Sequence, residues 1–188
     1  MSWRTIVITT LLLGALPRGR RLRVLVADRD EVVRIGIAAA LERAGHRVVA
    51  RCADAKAVLQ ALTGHRIDVC LISLDLPGGG VTTTRAISTL PDPPRIILLA
   101  STVRERDVFA GLRAGADAFV VKDVDASSLP EYVMAVAAGE AVLPEGMTAR
   151  LIDEFRSLAR TSSEPTALPT TDPGGALAFP RPRKRGSS

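Results

Sequence analysis

The sequence predicts a doubly wound α/β domain, five parallel strands in the order 2-1-3-4-5 with helices on both faces, flanked by disordered tails. Three observations carry that expectation. Short unbroken apolar runs, the mark of strands covered on both faces, alternate with segments of helical periodicity. Hydrophobic residues make up 47% of the chain but aromatics only 3%, so the core must be built from Val, Ile, Leu and Ala. The connections are short, which favours right-handed crossovers between parallel strands.

Residues 1–21 read as a disordered leader. The apolar stretch Ile6 to Leu16 is too short to span a bilayer, and the basic flank Arg18, Arg20 and Arg21 is unlike a signal cleavage site. The domain proper occupies 22–140. Its first strand, Leu22–Ala27, leads to a helix over Glu31–Ala44 with Val33, Ile37 and Leu41 on one face, Asp30 as N-cap and Gly45 as stop. The second strand, Val48–Cys52, precedes a helix over Asp54–Leu62. The third, Ile67–Ile72, precedes a helix over Thr83–Leu90, and Pro91, Pro93 and Pro94 punctuate the next turn. The fourth strand, Arg95–Leu99, is followed by a helix over Glu105–Ala114 closed by Gly115. The fifth, Ala118–Val121, is followed by a helix over Ser128–Ala138 closed by Gly139. Residues 141–160 are expected to form a linker helix, with Leu151, Ile152, Phe155 and Leu158 at helical spacing. Residues 161–188, rich in Ser, Thr, Pro, Gly and Arg, are expected to stay disordered.

Charge and cysteine usage exclude several function classes. The net charge of +5 comes from the two ends of the chain, so no basic footprint for nucleic acid lies on the domain itself. The scarcity of aromatics argues against a stacking platform for single strands. Cys52 and Cys70 sit in apolar runs without metal-ligand spacing, as buried reduced thiols of a cytoplasmic protein. His46 and His65 lie in predicted turns without a partner base. No membrane segment and no metal or cofactor are expected.

In a parallel α/β sheet, function gathers at the carboxyl ends of the strands. Here the first strand ends in Asp28-Arg29-Asp30, the third in Ser73-Leu74-Asp75-Leu76-Pro77, the fourth in Ala100 and the fifth in Lys122. These ends, with LRVLVADRDEVVRIGIAAALERAGHRVV and the AGADAFVVKD run, resemble the receiver domains of response regulators, NarL/FixJ (LuxR-type) subfamily, over about Leu22 to Arg160. The resemblance implies a flavodoxin-like (CheY-like) fold. It also implies a phosphorelay in which an aspartate at the end of the third strand takes a phosphoryl group beside a bound Mg²⁺. A divalent cation and a lysine ammonium offset the charge gathered there.

Carried over residue by residue, the pattern is incomplete. Asp28 matches the first member of the family's acidic pair, and Asp75 is the other carboxylate of a remnant acidic pocket. Arg29 stands at the second metal-ligand position and cannot serve as an oxygen ligand. Counting four residues back from Pro77, Ser73 replaces the phosphoacceptor. Ala100 replaces the switch hydroxyl, while the switch aromatic Phe119 and the pocket lysine Lys122 remain. The resemblance so read implies an atypical receiver, not an enzyme, that signals without aspartyl phosphorylation through a protein partner or homodimer. The contact face would be the fourth strand, fourth helix, fifth strand and fifth helix, near Val108, Phe109, Leu112, Phe119, Tyr132 and Val133.

Gly78-Gly79-Gly80 lacks the phosphate-loop pattern and reads as a flexible loop. The subfamily's helix-turn-helix output domain has no counterpart in the residues after Leu168, so DNA binding by this chain alone is not supported and a truncated transcriptional regulator is expected. Two alternatives stay open: a conventional phosphorelay receiver using Asp75, and a flavodoxin-like protein holding a cofactor at the same strand ends.

Overall fold

The computed structural model describes residues 6–8, 20–123 and 126–161. These form strands β1 (Ile6–Ile8), β2 (Arg23–Ala27), β3 (Arg47–Cys52), β4 (Val69–Ser73), β5 (Arg95–Ala100), β6 (Ala118–Val121) and β7 (Ala141–Leu143). The helices are α1 (Glu31–Arg43), α2 (Ala55–Gly64), α3 (Gly80–Ser88), α4 (Glu105–Arg113), α5 (Leu129–Ala137) and α6 (Met147–Thr161). The sheet order is β1-β7-β6-β5-β4-β2-β3, so the five expected strands lie side by side in the expected order, all parallel.

Two strands were not expected. Ala141–Leu143, assigned from sequence to a linker helix, adds parallel to β6. Ile6–Ile8, assigned to the disordered leader, pairs antiparallel with it, Ile6 opposite Leu143. Three residues are too few to show an alternating pattern, which is why neither strand was legible. The rest of the leader up to residue 19 and the tail from residue 162 lie outside the described residues.

Alternation along each strand sorts the core into two layers. Leu25, Ala27, Cys70, Ile72, Ile96, Leu98 and Phe119 pack with Val58 of α2, Ile87 of α3 and Val108 of α4. Val24, Val26, Leu71, Ile97, Leu99 and Val120 pack with Ile37 and Leu41 of α1 and with Val133 and Val136 of α5. Both cysteines are buried, and burial pushes both thiols up, which keeps them protonated.

Among the described residues, those up to Leu151 form one compact unit and those from Ile152 a second. In the first, Met147 and Leu151 at the start of α6 pack on the core, and Arg150 pairs with Glu105 of α4. In the second, Arg156 faces Asp153 along the same helix at 3.4 Å. No described helix is long and apolar enough to cross a membrane.

Candidate functional site

Four strands deliver side chains to one end of the sheet. Asp28 directly follows β2, and its N–H donates to the Cys52 carbonyl of β3. Ser73 closes β4 and Ala100 closes β5, both fully buried. Lys122 directly follows β6, held there by its N–H on the Ala100 carbonyl at 2.8 Å.

These placements bring three of the expected residues together. Lys122 Nζ lies 2.6 Å from Asp28 Oδ2 and donates to Ser73 Oγ at 2.8 Å. Asp28 is 1% exposed, and its Oδ1 accepts from the Asp30 N–H at 2.9 Å. Its Oδ2 makes no aligned hydrogen bond, so the contact with Lys122 is ionic. Ser73 Oγ accepts a second bond from the Asp75 N–H at 3.3 Å. One ammonium thus serves one carboxylate and one hydroxyl, a neutral cluster at the pocket floor.

The remaining candidates stand apart from that cluster. Asp75 and Arg29 are exposed, and Asp75 reaches the cluster through its backbone N–H, which donates to Ser73 Oγ. Asp30 is committed as the α1 cap, its carboxylate accepting from the Val32 N–H at 2.9 Å. Phe119 is 1% exposed and lies in the core layer beneath α4, where Gly111 lets that helix approach Leu98 closely.

Two residues that sequence reasoning passed over shape the site. Arg34 reaches back from α1 and donates through Nη1 to the Asp28 carbonyl at 2.6 Å and the Arg29 carbonyl at 3.2 Å, fixing the loop that carries Asp28. Its place one turn after the cap was the available signal. Gly80 opens α3 three residues earlier than expected, and Gly78 and Gly79 lead into it through a turn closed by the Gly79 N–H on the Leu76 carbonyl at 2.8 Å. A Cβ on Gly80 would lie 2.3 Å from the Ser73 carbonyl oxygen and 2.8 Å from Leu74 Cα. Gly78 and Gly79 adopt φ of +93° and +88°, a region that favours glycine.

The divalent cation that the resemblance implies does not fit these residues. Among the described residues Asp28 is the only buried carboxylate, it is paired with Lys122, and the residue that follows it is Arg29. Among the described residues no group of three or more His, Cys, Asp or Glu could hold a metal ion.

Residues 24–134 match the family model of the response regulator receiver domain. The chain is 28% identical over 145 residues to the transcriptional regulatory protein NarL of Mycobacterium tuberculosis, covering 76% of this chain and 67% of that protein. It is 32% identical over 132 residues to the nitrate/nitrite response regulator protein NarP of Escherichia coli, covering 69% of this chain and 61% of that protein. A LuxR-family two-component response regulator from Aurantimonas superposes with a TM-score of 0.64 at 28% identity, over 73% of this chain and 99% of that one. The chain thus spans about two thirds of the length of these curated relatives.

Proposed function

This chain belongs to the response regulator receiver domain family, and on that premise we propose that it is an atypical member, a cytoplasmic signalling module that works without aspartyl phosphorylation. The observation that carries the proposal is the bonding of Ser73. A hydroxyl occupies the position four residues before Pro77, buried, with Lys122 and the Asp75 N–H both donating to it. An ester of phosphate there would need Lys122 and a cation to offset its charge. Lys122 is instead engaged by Asp28, and Arg29 stands where a second carboxylate would help hold the cation. Asp75 is exposed on the loop, and the Lys122 ammonium is engaged by Asp28 and Ser73, which disfavours Asp75 as a substitute acceptor.

The signal then passes by contact with a partner protein. On the face of β5, α4, β6 and α5, Val108, Phe119 and Val133 are core residues, while Phe109, Leu112 and Tyr132 are half-buried against it. What that face exposes is mostly charged, Arg104, Glu105 and Arg106, with Val103 as its one large exposed apolar side chain among the described residues. Such a surface suits a polar, reversible partner.

The test is intact-mass spectrometry of the full chain after incubation with a small-molecule phosphodonor and Mg²⁺. We expect no phosphoryl adduct. An adduct that disappears in Asp75→Ala would establish the conventional phosphorelay reading in its place.

A further inference from the structure

The end of the sheet opposite Ser73 holds a cavity that the proposed signalling does not use. It measures about 340 Å³ and opens at the amino ends of β2, β4 and β5, between the loop after α2 and the loop after α3. The second of these loops carries Pro91, Pro93 and Pro94, whose fixed φ angles stiffen that wall before any ligand arrives. Leu62, Leu90 and Pro93 give the cavity an apolar side, and Leu90 is 38% exposed.

The polar side carries more cations than its own carboxylates need. Asp68 accepts three bonds from Arg23: Nη2 on Oδ1 at 2.8 Å, and Nε at 3.1 Å and the backbone N–H at 2.8 Å on Oδ2. That pairing leaves Arg20 with a long contact of 3.5 Å to Asp68 Oδ1, and 46% of its side chain stays in water. Arg95 is matched by Asp117 at 2.8 Å. Arg66 is exposed and makes no ion pair among the described residues. The remaining carboxylate of the lining is Asp92, exposed on the proline loop. Arg20 and Arg66 thus line the cavity as guanidinium groups with donors to spare.

We propose that this cavity binds a small organic phosphate. A phosphate monoester carries about two negative charges near neutral pH, and two guanidinium forks match both the charge and the array of oxygens. Asp92 accepts from a hydroxyl of the ligand's body, which lies against Leu62, Leu90 and Pro93. The volume falls at the lower end for small-molecule sites, which suits a ligand of mononucleotide or sugar phosphate size. None of these residues touches Asp28, Ser73 or Lys122, so occupation of the cavity is independent of what happens at the other end of the sheet.

Isothermal titration calorimetry of the full chain with adenosine monophosphate, ribose phosphate, adenosine and inorganic phosphate tests it. At least one of the two monoesters should bind with one site per chain. Adenosine, which lacks the phosphoryl group, and inorganic phosphate, which lacks the body, should each bind at least tenfold more weakly. Arg20→Gln and Arg66→Gln should each weaken the bound monoester at least tenfold. Their urea midpoints should not move, because both side chains are exposed and Asp68 keeps Arg23 as its partner. Arg51→Gln, which removes an exposed arginine from β3, should leave the affinity unchanged. A chain that binds neither monoester overturns the proposal. So does adenosine or inorganic phosphate binding as tightly as the monoester, or an Arg51→Gln loss equal to that of Arg66→Gln, the mark of diffuse attraction to net positive charge.

Discussion

Replacing Lys122 by methionine removes the cation paired with the buried Asp28 carboxylate, and the structure sets the scale of the cost. At 2.6 Å and an effective dielectric near 20, the gross attraction is about 6 kcal/mol. Both groups lose hydration to make that contact, so the net figure is smaller, and breaking one side of a buried pair costs about 3–5 kcal/mol. Lys122 keeps 18% of its side chain in water, and the Asp30 N–H still serves Oδ1 in the variant. Both facts place the loss at the lower end, about 3 kcal/mol, a large part of an ordinary domain's stability. Urea unfolding followed by far-UV circular dichroism reads this as a fall in midpoint at constant slope. Asp28→Asn in the Lys122→Met background should restore stability to within about 1 kcal/mol of wild type, because the amide carbonyl still accepts from Asp30 and no charge is left buried. A single variant that loses under about 1 kcal/mol, or a double variant no better than the single, would refute the idea that this pair holds the pocket floor.

Two further outcomes follow from local geometry. Gly80→Ala should cost about 3 kcal/mol in the same unfolding measurement, since the new methyl meets the backbone of Ser73 and Leu74, which cannot swing aside as a side chain could. His46 is buried, and desolvation lowers its pKa below the unfolded value. The unfolded chain therefore takes up the proton first, so the neutral form's contribution is complete above about pH 6.5 and is lost as pH falls below it. Unfolding midpoints at pH 7.5 and pH 5 should differ more in wild type than in His46→Gln.

The parts of the fold that were legible in the sequence are those whose burial is symmetric. Runs such as Val69–Ile72 and Ile96–Leu99 are apolar at every position because both faces of each strand are covered, and this gives strand type and layer together. The short strands Ile6–Ile8 and Ala141–Leu143 at one end of the sheet are defined by pairing alone, and three residues carry no period. Of the site, the register of Ser73 was legible because Pro77 fixes the count, and Lys122 because it follows a distinctive run. The partition between Asp28 and Asp75 was not. Both are acidic and near strand ends, and only the turn that hands the Asp75 N–H to Ser73 Oγ shows which side chain points to solvent. Arg34 and Gly80 were missed for a related reason: their contacts are to backbone atoms of Asp28 and Ser73, which sequence patterns do not display.

On the proposed reading, in which Ser73, Arg29 and Ala100 stand at the acceptor, ligand and switch positions, the three are coupled through charge. A carboxylate at position 73 would set two buried anions against the single ammonium of Lys122, and a cation held by neighbouring oxygens would be needed to make the site tolerable. With a hydroxyl there, Asp28 and Lys122 already cancel, and Ser73 needs only the two donors it has. Position 29 is then released from ligand duty and can carry an exposed arginine at no electrostatic cost. Position 100 is likewise released from bonding a phosphoryl oxygen, and a buried alanine fills the end of β5 without leaving a hydroxyl to satisfy. Each change removes the physical reason for the residue type at the next position. On the proposed reading, a neutral Ser73 accounts for Arg29 and Ala100 as well.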